Sequence, residues 1–395
     1  MEKAGVKTNM RIISFCLFTM IMVMVILPAS LWAQSDAEKA NQLMEDAGKA
    51  LAHEDYATAS QLFKELLEYY PLDAGVNFNL GLTLHLLGQN QEAVPYLEKV
   101  LELDPNHIKA MNALGMVFYY LVDYASARKY LEMYLQKNPG DAATYGYLAR
   151  MSFEDMDYAK SAEYYLQALS YTPNDAGMLY ALAVCYQKTG QMTLAAETYL
   201  QSANAGYTTE IPGADPLYHW AYCLNESGDY QTITSYAVTG ATPPLLAKMV
   251  AMAYFQLGDY PNTITAYKFA LAGGLTEVYP QLAQAYSKNQ DYTAAVEVYR
   301  QAIKYDPGNP SPYSNLAYCL NKLEKWQEAI DVCQEGLRQT AGDEGLLRYF
   351  LGISYFNLGD AENGKTELER FIANADPNRY STQLEHARAI LVGKL

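Results

Sequence analysis

The sequence is poor in the residues that chemistry needs. Its five histidines, His53, His85, His107, His219 and His386, are scattered over 395 residues, and none falls into an HExxH, HxxE or triad-like grouping. Five cysteines form no CxxC and no Cys/His cluster, which excludes the common zinc patterns. No stretch reads as a strand followed by a Gly-rich phosphate loop, and the pair Gly273-Gly274 lies between helical segments. Acidic pairs such as Glu367 with Glu369 are expected on solvated helix faces. No catalytic residue, cofactor site or metal ligand is assigned, and the chain reads as a non-enzyme without cofactors. Positive charge is scarce too: 28 Lys+Arg stand against 44 Asp+Glu, a net charge of −16. A chain that acidic repels phosphate backbones, so nucleic acid is a poor partner.

Long apolar runs are limited to one, residues 12–27. It follows Lys3, Lys7 and Arg11 and leads through Pro28 to Trp32-Ala33-Gln34, the basic start, apolar middle and small-residue exit of a secretory signal. Cleavage after Ala33 is the expectation, with Leu31 a bulky residue where a small one is usual. The alternative is retention of residues 12–32 as an N-terminal membrane anchor, because the run is just long enough to span. Cys16 lies inside the run rather than at its end, which argues against lipid attachment. With no second such run, the remainder is expected to be exported to the periplasm or envelope of a bacterium. Without residues 1–33, 25 basic residues face 43 acidic ones, a balance of −18.

What the sequence does have is a repeated unit. Residues 74–107 read AGVNFNLGLTLHLLGQNQEAVPYLEKVLELDPNH. Two amphipathic segments, centred on Leu80, Gly81 and Leu84 and on Ala93, Leu97 and Val100, are separated by Gly88 and stopped by Pro105. A helical hairpin this short cannot bury its apolar stripe alone. The unit recurs. Gly81 has small equivalents at Ala47, Gly115, Ala149, Ala183, Ala221, Ala251, Ala283, Ala317 and Gly352, at steps of 34, 34, 34, 34, 38, 30, 32, 34 and 35 residues. An Asp-Tyr pair opens the second segment at Asp55, Asp123, Asp157, Asp229, Asp259 and Asp291. Pro71, Pro105, Pro139, Pro173 and Pro307 close five of the units.

These residues resemble the tetratricopeptide repeat, with its 34-residue period and its succession of small residue, Ala, aromatic and Pro. The likeness covers about residues 37–395. It implies an all-α fold, a right-handed α-α superhelix or solenoid of about ten helical hairpins plus a C-terminal capping helix. The expected parts are an N-terminal array over 37–206, an irregular repeat and insertion over 207–243, a second array over 244–379 and a capping helix over 380–395. In the irregular part, ANAGYTTEIPGADP (203–216) replaces a helix end, and the next second helix is cut to about 230–238. Either a tolerated loop insertion or a hinge accounts for it. Thr382 and Glu385 have capping-box spacing at the start of the last helix. Leu384, Ala387 and Leu391 are expected to cover the final hairpin, while Glu385, His386 and Arg388 face water.

Of the four cysteines beyond residue 33, Cys185, Cys223 and Cys319 all stand two residues after the small position. They are read, with Cys333, as buried free thiols acting as small apolar residues. A bridge between Cys319 and Cys333, on opposite helices of one hairpin, is the open alternative.

In this family the inner, concave face is lined by five first-helix slots: six and three residues before the small position, and one, four and five after it. Over ten units these slots hold eleven aromatic, six basic and four acidic residues. The face is therefore near +2 in a chain that is otherwise strongly acidic. The resemblance implies that other proteins or extended peptides bind here. The site residues expected are Tyr119, Tyr120, Arg150, Phe153, Tyr180, Lys188, Tyr218, Tyr222, Lys248, Phe255, Tyr318 and Tyr349, with rings forming pockets and cations meeting carboxylates or carbonyls. Some family members grip a C-terminal carboxylate with Lys and Asn at fixed slots; here Asn112 is followed by Met116 and Lys248 by Met252, so that pattern is not matched. Two alternatives remain: a glycan or cell-wall binder using the Tyr rings, and a structural subunit of an envelope assembly using the acidic outer surface. The oligomeric state is not legible.

Overall fold

The computed structural model describes residues 29–209, 211, 213–340 and 344–393, with side chains described from residue 36 on. Of the expected signal over 1–33, or anchor over 12–32, residues 1–28 lie outside the described residues, and 29–33 belong to the first helix. Among those described, 21 α-helices and one 3-10 helix occur and no strand. No described helix is long and apolar enough to cross a membrane.

The chain divides into two compact units, 1–173 and 174–395. The first holds four hairpins: α1 (Ala29–Ala52) with α2 (Tyr56–Tyr69), α3 (Ala74–Leu86) with α4 (Asn90–Leu103), α5 (Ile108–Tyr120) with α6 (Tyr124–Lys137), and α7 (Ala142–Glu154) with α8 (Tyr158–Tyr171). The second holds six: α9 (Ala176–Lys188) with α10 (Met192–Asn204), α11 (Pro216–Ser227) with α12 (Tyr230–Thr234), α13 (Pro244–Gln256) with α14 (Tyr260–Ala272), α15 (Tyr279–Lys288) with α16 (Tyr292–Tyr305), α17 (Pro310–Lys322) with α18 (Trp326–Gln339), and α19 (Gly345–Leu358) with α20 (Ala361–Asn374). The closing helix is α21 (Ser381–Leu391). The irregular segment 207–243 lies within the second unit.

One local device makes all ten hairpins. Each first helix ends in a residue with left-handed backbone: Glu54, Gly88, Val122, Met156, Gly190, Gly228, Gly258, Gln290, Glu324 and Gly359. The N–H of the next residue then donates to the carbonyl five positions earlier, at 2.9–3.0 Å in every case, as from Asp123 to Phe118, which closes the helix in a Schellman motif. That same residue caps the second helix. In seven hairpins it is Asp, whose carboxylate accepts from the backbone N–H three residues on, as Asp123 does from Ser126. The cap satisfies a donor the helix leaves open, worth about 1 kcal/mol each. In three of these hairpins the following Tyr packs on the end of the first helix: Tyr124 on Tyr119, Tyr158 on Phe153 and Tyr260 on Phe255.

The small positions allow the two helices to close. All seven alanines there are fully buried. At the three glycines a Cβ would lie 2.6 Å from Leu97 (Gly81), 2.3 Å from Leu131 (Gly115) and 2.7 Å from Leu368 (Gly352). Each leucine stands sixteen residues after its glycine and is itself fully buried.

Four expectations are corrected or resolved. The short second helix α12 ends at Thr234, earlier than 238, where the Thr234 and Ser235 hydroxyls donate back to the Gln231 and Thr232 carbonyls and draw the backbone out of helical pairing. Helix α21 has Tyr380 at its N-cap with no side-chain cap, so Thr382 sits inside the helix and no capping box forms. Glu367 is buried, 9% exposed, because it receives Arg348 at 2.8 Å and Arg370 at 2.6 Å; only Glu369 of that pair is solvated. Cys185, Cys223, Cys319 and Cys333 are buried thiols that form no disulfide, and burial pushes the Cys223 thiol up to about 11.

Candidate functional site

In the N-terminal unit the rings of the first helices meet from one hairpin to the next. His85 near the end of α3 is 5.5 Å from Tyr120 of α5, Tyr120 is 5.5 Å from Tyr119 edge to face, and Tyr119 is 5.0 Å from Tyr147 of α7, again edge to face. Four rings thus form a run across three hairpins. Tyr119 and Tyr120, four and five past Gly115, reach Tyr147, two before Ala149 in the next hairpin, while His85, four past Gly81, reaches Tyr120. The His85 Nδ1 lies 2.6 Å from the Asn90 side-chain oxygen, which fixes the ring at one end. Burial, then the neighbouring Tyr120 and Tyr119, hold the Tyr147 hydroxyl above the ordinary tyrosine value against the Arg150 charge. Tyr120 is the outermost ring, 55% exposed.

Arg150 and Lys109 are exposed on the same helices. Neither has a carboxylate partner among the described residues. Elsewhere in this unit Lys39, Lys64, Lys99, Arg128 and Lys160 pair with Glu65, Glu92, Glu102, Asp155 and Glu163. Surface pairs add little stability, but they neutralise cations, and Arg150 and Lys109, like the exposed Lys129 and Lys137, remain without one among the described residues. Phe153 is half-buried against Tyr158 at 5.1 Å, where it serves the hairpin.

The C-terminal unit uses its slots differently. Tyr318 lies 6.1 Å from Tyr292 and 5.9 Å from Phe350, with the Lys322 ammonium 5.7 Å over its ring, a contact of about 0.5–1 kcal/mol at an exposed site. Tyr222 is half-buried against the core around Trp220 and Cys223, and Phe255 packs on Tyr260. Lys188 is exposed, while Lys248 is ion-paired with Glu277. Tyr180 is stacked on Tyr207, and Tyr218 meets His219 edge-on.

Tyr349 does not belong to a solvent-facing site. It is 8% exposed, its ring 5.3 Å from Phe371 and its hydroxyl 3.0 Å from the His386 Nδ1. The capping helix covers the slot that an internal hairpin leaves open. In the other direction, Tyr147, Tyr207 and His219 take part in the ring clusters without standing in any of the five slots. Tyr147 and His219 share a position, two before the small residue, which is the signal that would have found them.

Models of the tetratricopeptide repeat match residues 72–138 and residues 112–176, 148–208 and 281–344, together just over half of the chain. The Stress-induced-phosphoprotein 1 of Caenorhabditis elegans is 41% identical over 71 residues, 16% of this chain and 22% of that protein. The E3 ubiquitin-protein ligase CHIP of Arabidopsis thaliana is 28% identical over 83 residues, 21% of this chain and 30% of that protein. The chain spans less than a third of the length of these curated relatives. Among solved structures, "MamA 41-end from Desulfovibrio magneticus RS-1" is 24% identical over 44% of this chain and 98% of that one, with a TM-score of 0.41. "Structure of Naa15/Naa10 bound to HypK-THB" is 17% identical over 89% of this chain and 63% of that one, with a TM-score of 0.47. Given ten hairpins at this period and a family match over half its length, the chain belongs to the tetratricopeptide repeat family, whose members in general bind other proteins.

Proposed function

We propose that this chain is an exported, non-catalytic scaffold that binds an extended segment of another protein along the first helices of its N-terminal unit. The observation that carries this reading is the run His85, Tyr120, Tyr119 and Tyr147 across three hairpins. Rings fixed by their neighbours offer contact area at low entropic cost. Arg150, unpaired and close enough to act on the Tyr147 hydroxyl, suits a carboxylate or backbone carbonyl of the incoming segment, and Lys109 offers a second unpaired cation at the opposite end of α5. Edge-to-face packing sets the edge of one ring on the face of the next and so leaves fewer flat faces free, which favours a peptide over a sugar as occupant. Export rests on the basic-then-apolar layout of residues 3–33.

The test is a photo-crosslinker in place of Tyr120, with one in place of Leu166 on α8 as control, in the native cell. Capture of one protein at Tyr120 and not at Leu166, weakened by Arg150→Glu, is the expected result. Capture only at Leu166 would discard the first-helix face and favour a structural subunit. Glycan capture insensitive to Arg150→Glu would favour the cell-wall reading.

A further inference from the structure

The connector after α10 is built unlike the others. Regular hairpins of the N-terminal unit are joined by four residues, as at 70–73 and 104–107, but eleven, 205–215, separate α10 from α11. This connector folds onto the first-helix side. Tyr207 lies flat on Tyr180, with centroids 4.6 Å apart and planes 6° from parallel, and both rings are half-buried. Tyr180 stands three residues before Ala183, in a slot of the predicted face, so a ring of the chain itself occupies that slot.

The surroundings are specific. His219 stacks on Tyr199 at 5.0 Å and 18°, meets Tyr180 at 5.9 Å and Tyr218 at 5.4 Å, and lies close enough to the Gly213 backbone, at the far end of the same connector, for it to favour the charged imidazole. Its Nδ1 is buried without a hydrogen-bond partner among the described residues. Gly206 and Gly213 take φ of 88° and 82°, the left-handed backbone that lets the connector turn in and out again. Asp215 then caps α11 through the Leu217 and Tyr218 N–H groups. Both ends are thus held by the fold, and between them a planar side chain sits where a ligand residue would.

We propose that Tyr207 is a built-in stand-in for a partner's side chain: the slot at Tyr180 beside His219 takes an aromatic residue of an extended segment, and Tyr207 must leave before that segment enters. The proposal rests on the reading that first-helix faces bind partners. It adds which side chain the C-terminal unit takes and makes the free chain self-blocked. Flat stacking selects a planar ring. The unpartnered Nδ1 gives a phenol or indole group something to bond that Tyr207 leaves unused. An intramolecular ring competes at high effective concentration, so the block disappears when Tyr207 is removed.

The probe is the connector itself supplied in trans, a fluorescein-labelled peptide NAGYTTEIPGA (204–214), followed by anisotropy up to millimolar protein. The expected result is binding at least tenfold tighter to the Tyr207→Ala chain than to the unchanged chain. Binding should be lost when the peptide's Tyr is Ala or when Tyr180→Ala is added to the Tyr207→Ala chain. A chain with 205–215 shortened to four residues should behave like Tyr207→Ala; if it fails to fold by circular dichroism, Tyr207→Ala carries the test. Equal binding to both chains, no binding to Tyr207→Ala, or equal binding of the Ala peptide would overturn the proposal. These outcomes are independent of capture at Tyr120, so loss of either reading is told apart from loss of the other.

Discussion

Replacing Gly115 with Ala tests whether close helix approach is what the small positions are for. The added Cβ would stand 2.3 Å from the Leu131 Cδ2, 2.5 Å from its Cγ and 3.2 Å from its backbone N. Leu131 is fully buried and has no free space to enter. Overpacking of this kind costs about 1–3 kcal/mol, against about 1 kcal/mol gained because Ala is the better helix former. Since backbone as well as side chain is met, the upper end applies, and a net loss of about 2 kcal/mol is expected. The chain carries its own control. Where the small residue is Gly, the residue sixteen later is Leu97, Leu131 or Leu368; where it is Ala, that residue is Phe63, Tyr165, Tyr199, Tyr267, Tyr299 or Cys333, except at Ala221. A leucine branches at Cγ directly over the partner, whereas a ring is flat and a cysteine is short, so each leaves room for one methyl. Leu131→Tyr in the Gly115→Ala background should therefore recover stability, with a favourable coupling of about 1–2 kcal/mol in a double-mutant cycle. Urea unfolding by far-UV circular dichroism reads the midpoints, and hydrogen exchange of α5 and α6 localises the effect, because a stack of repeats loses structure hairpin by hairpin. A stabilised Gly115→Ala, or additive double-mutant energies, would refute the close-approach account.

Val122 holds left-handed backbone at φ 61° with a β-branched side chain 68% exposed, so Val122→Gly should gain roughly 1 kcal/mol while Gly88→Ala, at φ 76°, loses a similar amount; the urea midpoints should move in opposite directions. Burial holds His219 below its ordinary value of 6.5, opposed by the nearby Gly213 backbone and the Asp215 charge, and the facing Tyr180, Tyr199 and Tyr218 are neutral. The unfolded chain therefore binds the extra proton, and stability is full at and above neutral pH. It falls as pH drops below about 6.5, with a slope of at most about 1.4 kcal/mol per pH unit, and His219→Gln should flatten that slope in pH-dependent unfolding.

Much of the fold was legible because the sequence states it ten times. Each small residue, each Asp at the turn and each closing Pro is one sample of the same rule, and errors at single positions cancel. The turns show the limit of reading by residue type. Glycine marks five of the ten left-handed positions, but Glu54, Val122, Met156, Gln290 and Glu324 adopt the same backbone, held by the hydrogen bond that closes the helix rather than by their own preference. Tyr349 and Glu367 failed for a tertiary reason. A slot rule describes an internal hairpin, while the last one is covered by α21, and Glu367 is drawn inward by two arginines a local pattern does not contain.

The site was less legible because its informative residues are not repeated. The hairpin of α11 and α12 keeps its small residue, its left-handed turn and its Asp cap, yet its second helix has five residues, and the position sixteen past Ala221 is Ala237, beyond the helix. Other groups fill that absence: Trp220 meets Tyr236 at 6.1 Å, and the Tyr254 hydroxyl of the next hairpin donates to the Thr234 carbonyl at 3.0 Å. Bulk from single aromatic residues thus replaces a missing helix while the core stays closed, with Ile233 fully buried. A defect that was merely tolerated would leave buried polar backbone or a void. Here the irregular hairpin is packed, and the long connector before it is held at Asp215 by its bonds to Leu217 and Tyr218, with Tyr207 laid on Tyr180. The departure from the repeat and the ring laid on Tyr180 are therefore one local structure: where the ten-fold rule is relaxed, single residues rather than the repeat decide what is packed.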